Sequence, residues 1–234
     1  MGTSPFVGAG QFGVKSYVYY RHFYKNPRNI TKIVLKAADL GISGIHALPY
    51  QPIFWSLKAA EKELGEKFTI IGTIGPDNPL EDLKNFHNFN TVALLLHGEL
   101  ADKRNQKVGE LLNNIHDAGY LAGLATHSPS STLSWLCNSD LDIDLVMVPF
   151  NRLGMFMDDT SEKIVELIKL LGKPVIGKKV LAAGRIQPRD ALEFVLESGC
   201  IDFVALGVAS EREAEETFGI AAELFSEFHA HNRI

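Results

Sequence analysis

The sequence predicts an α/β fold, a single closed (β/α)8 barrel of the TIM type. Three observations carry this expectation. Eight short apolar runs alternate with amphipathic segments along the 234 residues. A glycine follows five of the amphipathic segments just before the next apolar run. The last two runs, at 174–181 and 203–207, each meet glycine and bracket a helical segment at Pro188–Ser198, as the final βα units of a barrel do. Eight alternations suit a barrel better than a doubly wound open sheet, which usually carries fewer units. No linker or low-complexity segment interrupts residues 1–234, which therefore read as one domain.

In chain order, the apolar runs lie at residues 6–10, 44–48, 68–72, 91–96, 121–126, 145–149, 174–181 and 203–207. Each is short and nearly continuous in apolar residues, as a parallel strand covered by helices should be. Helical spacing of apolar residues appears at 30–40, 54–64, 108–115, 164–171 and 191–196. Start signals agree: Asn29 precedes the first of these, Asp159, Thr160 and Ser161 precede the fourth, and Pro188 stands near the start of the fifth. Gly41, Gly65, Gly119, Gly172 and Gly199 supply the stops. Residues 11–28, aromatic and basic, are too long for a simple βα turn. They read either as a lid over the barrel mouth or as a segment packed on the barrel top.

Composition narrows the classes of function. Hydrophobic content of 46% and charge of 22% are those of a soluble globular protein. The net charge of −5 comes without basic blocks, which argues against a nucleic-acid partner. Cys137 and Cys200 form neither a disulfide framework nor a metal knuckle and read as free thiols of a reducing cytoplasm. No apolar run reaches the roughly 18 residues of a membrane span, and the first residues lack a signal-peptide pattern. The expected partner is a small-molecule substrate. A homo-oligomer contact is one use of the aromatic loop.

Several segments, taken in series, resemble the aldo/keto reductase family. Leu40-Gly-Ile-Ser-Gly-Ile-His-Ala-Leu-Pro-Tyr50 is similar to the family's strand that ends in an Asp, with a Tyr a few residues on. Thr91-Val-Ala-Leu-Leu-Leu-His97 resembles its fourth strand, which ends in the active-site His. Gly123-Leu-Ala-Thr-His127 and Asp144-Leu-Val-Met-Val-Pro-Phe-Asn151 resemble the fifth and sixth. Val204-Ala-Leu-Gly-Val-Ala-Ser210, with Glu215 and Glu216 following, looks like the segment that holds the cofactor's adenosine phosphate. The resemblance covers nearly the whole chain and implies an aldo/keto reductase-like barrel. It also implies carbonyl reduction with NAD(P)H by a Tyr acid, a tuning Lys and Asp, and an orienting His. Only His97 matches its family position. His46 stands at the Asp position, Gln51 (beside Tyr50) at the Tyr, Ile74 at the Lys and Met147 at a cofactor-binding amide. Lys178 falls near the ring that stacks on the nicotinamide. A tyrosine with pKa near ~10 needs cationic help to donate a proton at working pH. Ordinary carbonyl reduction therefore lacks its usual device here.

Three constellations carry candidate chemistry. His46, His97 and His127 end three strands, with Glu99 nearby, where a barrel gathers its active site. They could bind a divalent metal, act as metal-free acid and base, or serve as structural hydrogen-bonding groups. Lys178 and Lys179 lie within the seventh run, where alternation sends one inward and the other outward. The inward one could form a Schiff base or neutralise a phosphate. Gly184, Arg185 and Gly207, with Ser210 opening the last helix, form a candidate anion site. Asn151 and Gln11 add polar groups at the rim, where capping roles are equally open. Three functions follow. One is an aldo/keto reductase-like enzyme binding a phosphate-bearing ligand, NAD(P)H or a phosphorylated metabolite, with catalytic His97, His46 and Tyr50. Another is a non-redox lyase or isomerase, or a metal-dependent hydrolase, using the lysines or the histidines. The third is an inactive metabolite-binding barrel.

Overall fold

A computed structural model describes residues 1–231, with side chains described through residue 228. Seven parallel strands stand side by side in sequence order: β1 (Gly44–Ala47), β2 (Thr69–Ile74), β3 (Asn90–Leu96), β4 (Leu121–Ala125), β5 (Leu145–Pro149), β6 (Val175–Lys178) and β7 (Phe203–Ala205). Residues 1–3 fill the gap between the first and last of them. Gly2 bridges His46 in parallel and donates its N–H to the Leu206 carbonyl, while His46 donates to the Met1 carbonyl. The eighth stave is therefore three residues long, and the barrel is nearly closed.

This corrects the first expected strand. Residues 6–10 are not extended: Ser4–Val7 and Gly10–Phe12 are 3-10 turns. Pro5 lacks an amide for a strand ladder, and Gly8 takes a left-handed φ of 63°. A Cβ on Gly8 would lie 2.3 Å from the Ser16 carbonyl oxygen, so the turn packs too closely for any side chain. The apolar character of this run has another cause: Phe6 is fully buried and its ring meets Phe23 at 5.0 Å.

Around the strands run α1 (Lys15–Tyr19), α2 (Pro27–Asp39), α3 (Gln51–Leu64), α4 (Pro79–Phe86), α5 (Gly98–Ala101), α6 (Gln106–Asp117), α7 (Pro129–Cys137), α8 (Ser161–Leu171), α9 (Pro188–Ser198) and α10 (Glu211–His231). The glycines expected as stops behave so: Gly41, Gly65, Gly119, Gly172 and Gly199 all have positive φ, between 60° and 87°. Helices α4 and α7, each opening on a proline, were not marked by apolar periodicity. The segment after the 3-10 turns is helical, α1 continuing into a π-helical turn at Tyr20–Tyr24. Cys137 and Cys200 are free thiols. Among the described residues no helix is long and apolar enough to cross a membrane.

Two apolar layers result from the period-2 alternation of the strands. Leu94 and Leu96 of β3, with Ala122 and Leu124 of β4, join the shell between sheet and helices. Ala93, Leu95, Ala125, Leu145, Met147 and Ile176 form a separate plug inside the barrel. Continuing each inward row by two residues toward the C-terminal end gives Thr73 after Ile71, His97 after Leu95, His127 after Ala125 and Lys178 after Ile176. An apolar plug thus carries a polar layer on top of it.

Candidate active site

That polar layer is the floor of a cavity of about 1070 Å³ at the C-terminal ends of the strands. His46, Thr73, His97, His127, Lys178 and Lys179 all line it. Aromatic side chains from the helical excursion, Phe12, Tyr19, Tyr20 and Tyr24, form one wall, with Gln11 beside them. The acidic Asp77, Glu99, Glu213 and Glu216 also line the cavity.

The surroundings of all three histidines disfavour the charged form. His46 Nε2 lies 2.8 Å from Thr73 Oγ1. Burial first, then the neighbouring Lys178 charge, lowers its pKa to about 3. His127 is likewise lowered to about 3 by burial and by Lys178 and Lys179. His97 is shifted down by the same two causes, less strongly opposed by Glu99 and Asp102. Its Nδ1 accepts the Glu99 N–H at 3.3 Å as the cap of α5, which leaves the ring proton on Nε2. The His97 and His127 rings meet edge to face with centroids 5.0 Å apart. Gly98 permits this approach, since a Cβ there would sit 2.8 Å from His127 Nδ1.

Asp102, unmarked by any sequence signal, builds the His127 loop. Its Oδ2 accepts the His127 N–H at 2.9 Å, and its Oδ1 accepts the hydroxyls of Thr126 and of Thr132, the latter at 2.9 Å. β4 stops at Ala125, so Thr126 turns into this buried network while His127 faces the cavity. Among the described residues, no group of three His, Cys, Asp or Glu side chains is placed to hold a metal ion. The expected His46, His97 and His127 metal site is not formed.

The lysine pair departs from expected alternation. β6 ends at Lys178, and Lys179 takes a left-handed φ of 57°, which turns it back to the same cavity. Burial, then repulsion from Lys179, lowers the Lys178 pKa to about 7. Lys179 is lowered as well, by burial, with Asp102 opposing. Its Nζ sits 4.7 Å from the centroid of Phe156, another residue that sequence reasoning did not mark. Neither ammonium has a hydrogen bond or ion pair within bonding distance among the described residues.

The candidate anion residues separate. Gly184 and Gly207 line the cavity, Gly207 packed against Pro5, whose ring would lie 2.9 Å from a Cβ added there. The Arg185 guanidinium turns back to donate to the Ala182 carbonyl at 3.1 Å and is not in the cavity wall. Ser210 caps α10, accepting the Glu213 N–H at 3.1 Å. The Glu213 carboxylate in turn takes the Ala209 N–H at 2.8 Å, so this amide at the start of α10 is already engaged. Asn151 is fully buried and spends its amide on backbone: Nδ2 donates to the Met155 and Lys179 carbonyls, and Oδ1 accepts from the Leu153 and Met155 amides. It is a brace between two loops, not a ligand group.

The positions implied by the family resemblance fare likewise. Tyr50 lines the cavity edge, 42% exposed, its ring edge-on to Tyr24 at 5.9 Å. Burial, Tyr24 and nearby carboxylates raise its pKa, the reverse of what a reductase acid needs. Ile74 points into the outer apolar shell and Met147 into the interior plug.

No family model and no curated protein matches this sequence. Solved structures do. A putative aldo-keto reductase from Pseudomonas aeruginosa superimposes with a TM-score of 0.66 at 19% identity, over 86% of this chain and 84% of that one. A phosphoribosyl anthranilate isomerase from Thermus thermophilus gives 0.56 at 20% identity, over 83% and 94%. A mutant protein crystallised in complex with NADPH gives 0.61 at 11% identity, over 86% and 84%. A reductase and an isomerase among such neighbours fix the architecture and leave the chemistry to the site. The chain has an aldo-keto reductase-like TIM-barrel fold.

Proposed function

We propose that this barrel is a non-redox enzyme of small carbonyl compounds, a lyase or isomerase, in which Lys178 forms an imine with the substrate. The observation that carries this reading is the position of Lys178, on the floor of a large cavity with no carboxylate paired to it among the described residues. A desolvated lysine beside a second cation is the usual way to obtain a neutral amine near pH 7. With its pKa lowered to about 7, a large fraction of Lys178 is unprotonated there. The amine nitrogen adds to the carbonyl carbon, and the oxygen leaves as water after protonation. His97, with its N–H on Nε2 and its ring in the cavity, is the group suited to hydrogen-bond that oxygen, while solvent supplies the proton with which it leaves. The resulting iminium then withdraws electrons from the adjacent carbon, the step shared by carbon–carbon lyases and carbonyl isomerases. Trapping with borohydride in the presence of short ketones and aldehydes tests the reading. A reduced adduct on the Lys178 peptide, lost in Lys178→Met, is expected; absence of any adduct would refute it.

A second reading, a nicotinamide-dependent or other phosphate-binding enzyme, draws on two features. Gly184 and Gly207 line the cavity after β6 and β7, and the fold is shared with a protein that binds NADPH. The Glu213 carboxylate on the Ala209 amide weighs against it. Titration with NADPH and NADH, followed by calorimetry, separates the two: saturable micromolar binding would favour redox chemistry.

A further inference from the structure

We propose that Lys179 is an anion receptor, so that the carbonyl substrate carries a carboxylate beside the carbon that Lys178 attacks: a 2-oxo acid. The proposal deepens the imine reading and rests on it for the word carbonyl; the receptor itself does not depend on it.

Besides Ala183 (φ 57°), two mutually contacting residues at the cavity adopt left-handed backbone that side chains disfavour, Lys179 at φ 57° and Phe156 at φ 64°. Such conformations persist only where surrounding contacts dictate them, and they gather at functional sites. Here the contacts are those of Asn151. From its buried position it bonds the Lys179 carbonyl at 3.3 Å with Nδ2, and it ties down the turn that carries Phe156 through Leu153 and Met155. The product of this bracing is specific. Phe156 presents its ring to the Lys179 ammonium at 4.7 Å, and Lys179 faces the same cavity as its neighbour. Had the strand alternation continued, Lys179 would have pointed out toward the helices.

Charge argues in the same direction. The two lysines are consecutive, both line one cavity, and neither has an ion-pair partner among the described residues. Asp102, whose charge acts on both of them, has both oxygens engaged by Thr126, Thr132 and the His127 amide. Two adjacent lysines without an ion-pair partner among the described residues are relieved either by losing a proton or by binding an anion. A 2-oxo acid satisfies both: its carbonyl consumes the neutral amine of Lys178, releasing water, while its carboxylate pairs with charged Lys179. The carboxylate is left unchanged in that step, and no electrons are exchanged. The Phe156 face holds the ammonium without neutralising it, which a carboxylate partner would do.

Borohydride trapping with pyruvate and with pyruvamide, quantified by intact mass, tests this. Pyruvate is expected to half-saturate trapping at a concentration about tenfold or more below pyruvamide, the usual worth of one charge-assisted contact. Lys179→Met should erase that preference while still trapping the amide. Lys179→Gly, which suits the left-handed backbone, serves should the Met variant misfold. Equal trapping of both compounds by the wild type would overturn the receptor and leave the imine standing. Should neither be trapped, calorimetry with oxalate decides. Binding kept by Lys178→Met and weakened about tenfold in Lys179→Met supports the receptor without the imine. No oxalate binding, or binding equal in Lys179→Met, overturns it.

Discussion

Replacing Lys178 by Met should stabilise the protein, and by an amount that depends on pH. The methionine keeps most of the aliphatic stem and removes only the charge. In the folded state the ammonium is harder to form, its pKa lowered from 10.5 to about 7. At roughly 1.4 kcal/mol per pKa unit, a fully charged Lys178 costs about 5 kcal/mol. Its half-buried position on an open cavity lets water and ions screen it, so we take about 2 kcal/mol as the net expectation. The sign follows from linkage: the native pKa lies below the unfolded one, so the penalty vanishes above about pH 10.5 and is complete below about pH 7. Wild-type stability should therefore rise with pH between those values relative to the variant. Thermal unfolding at pH 6.5 and pH 9 measures it. Lys178→Met should be more stable at pH 6.5, by about 4–8 °C in melting temperature, with less than half of that gain left at pH 9. A destabilised variant, or a gap independent of pH, would refute the argument that Lys178 is a desolvated, unpaired amine.

Other outcomes follow from the same geometry. Gly98→Ala would push a methyl to within 2.8 Å of His127 Nδ1; a loss of about 1–3 kcal/mol by urea unfolding and slower imine trapping are expected. Ser210→Ala removes the cap of α10 and should cost about 1 kcal/mol, with no change in NADPH or phosphate binding, because its hydroxyl serves the Glu213 amide. Asp144, which accepts from Ala122 and His116 at 2.8 Å away from the cavity, has its carboxyl below the usual range through those bonds, burial opposing. Its contribution is present above the unfolded carboxylate pKa and lost as pH falls through the native one. Asp144→Asn should thus cost about 1 kcal/mol at neutral pH, less in acid, and leave trapping untouched.

How far the sequence discloses this molecule depends on what each feature requires. Staves β1 to β7 are legible because parallel strands buried on both faces must be continuous apolar runs. The closing stave is not, since Met1, Gly2 and Thr3 are too few to show a pattern. The conspicuous apolar run after them is shaped by Pro5 and Gly8 into turns instead. The same limit governs the site. His97, His127 and Lys178 are found by continuing an inward row by two residues. Asp102 and Phe156 are not, because they reach the site from loops with no period. Asn151, Arg185 and Ser210 look like ligand groups for a good reason. A side chain that bonds its own backbone uses the same atoms as one that bonds a phosphate, and only their neighbours tell the two apart.

The layered interior explains why one architecture can change chemistry so readily. In this barrel the apolar plug of Leu95, Ala125, Met147 and Ile176 completes the packing below the floor. The polar layer above it is thus relieved of a stability role. The family that the sequence resembles pairs its tyrosine acid with a lysine from the stave that is β2 here. Here that position is Ile74, turned into the outer shell, while Tyr50 is raised by its surroundings. Across the mouth, β6 instead brings an amine to the floor. A cation that would lower a tyrosine needs a partner charge to develop beside it, whereas Lys178 has none and loses its own proton. The same physical ingredient, a desolvated lysine at the centre of a barrel, supports proton donation when an acid stands next to it and nucleophilic attack when none does. In this chain the neighbours of Lys178 are a second lysine and three neutral imidazoles, and that company favours the nucleophile.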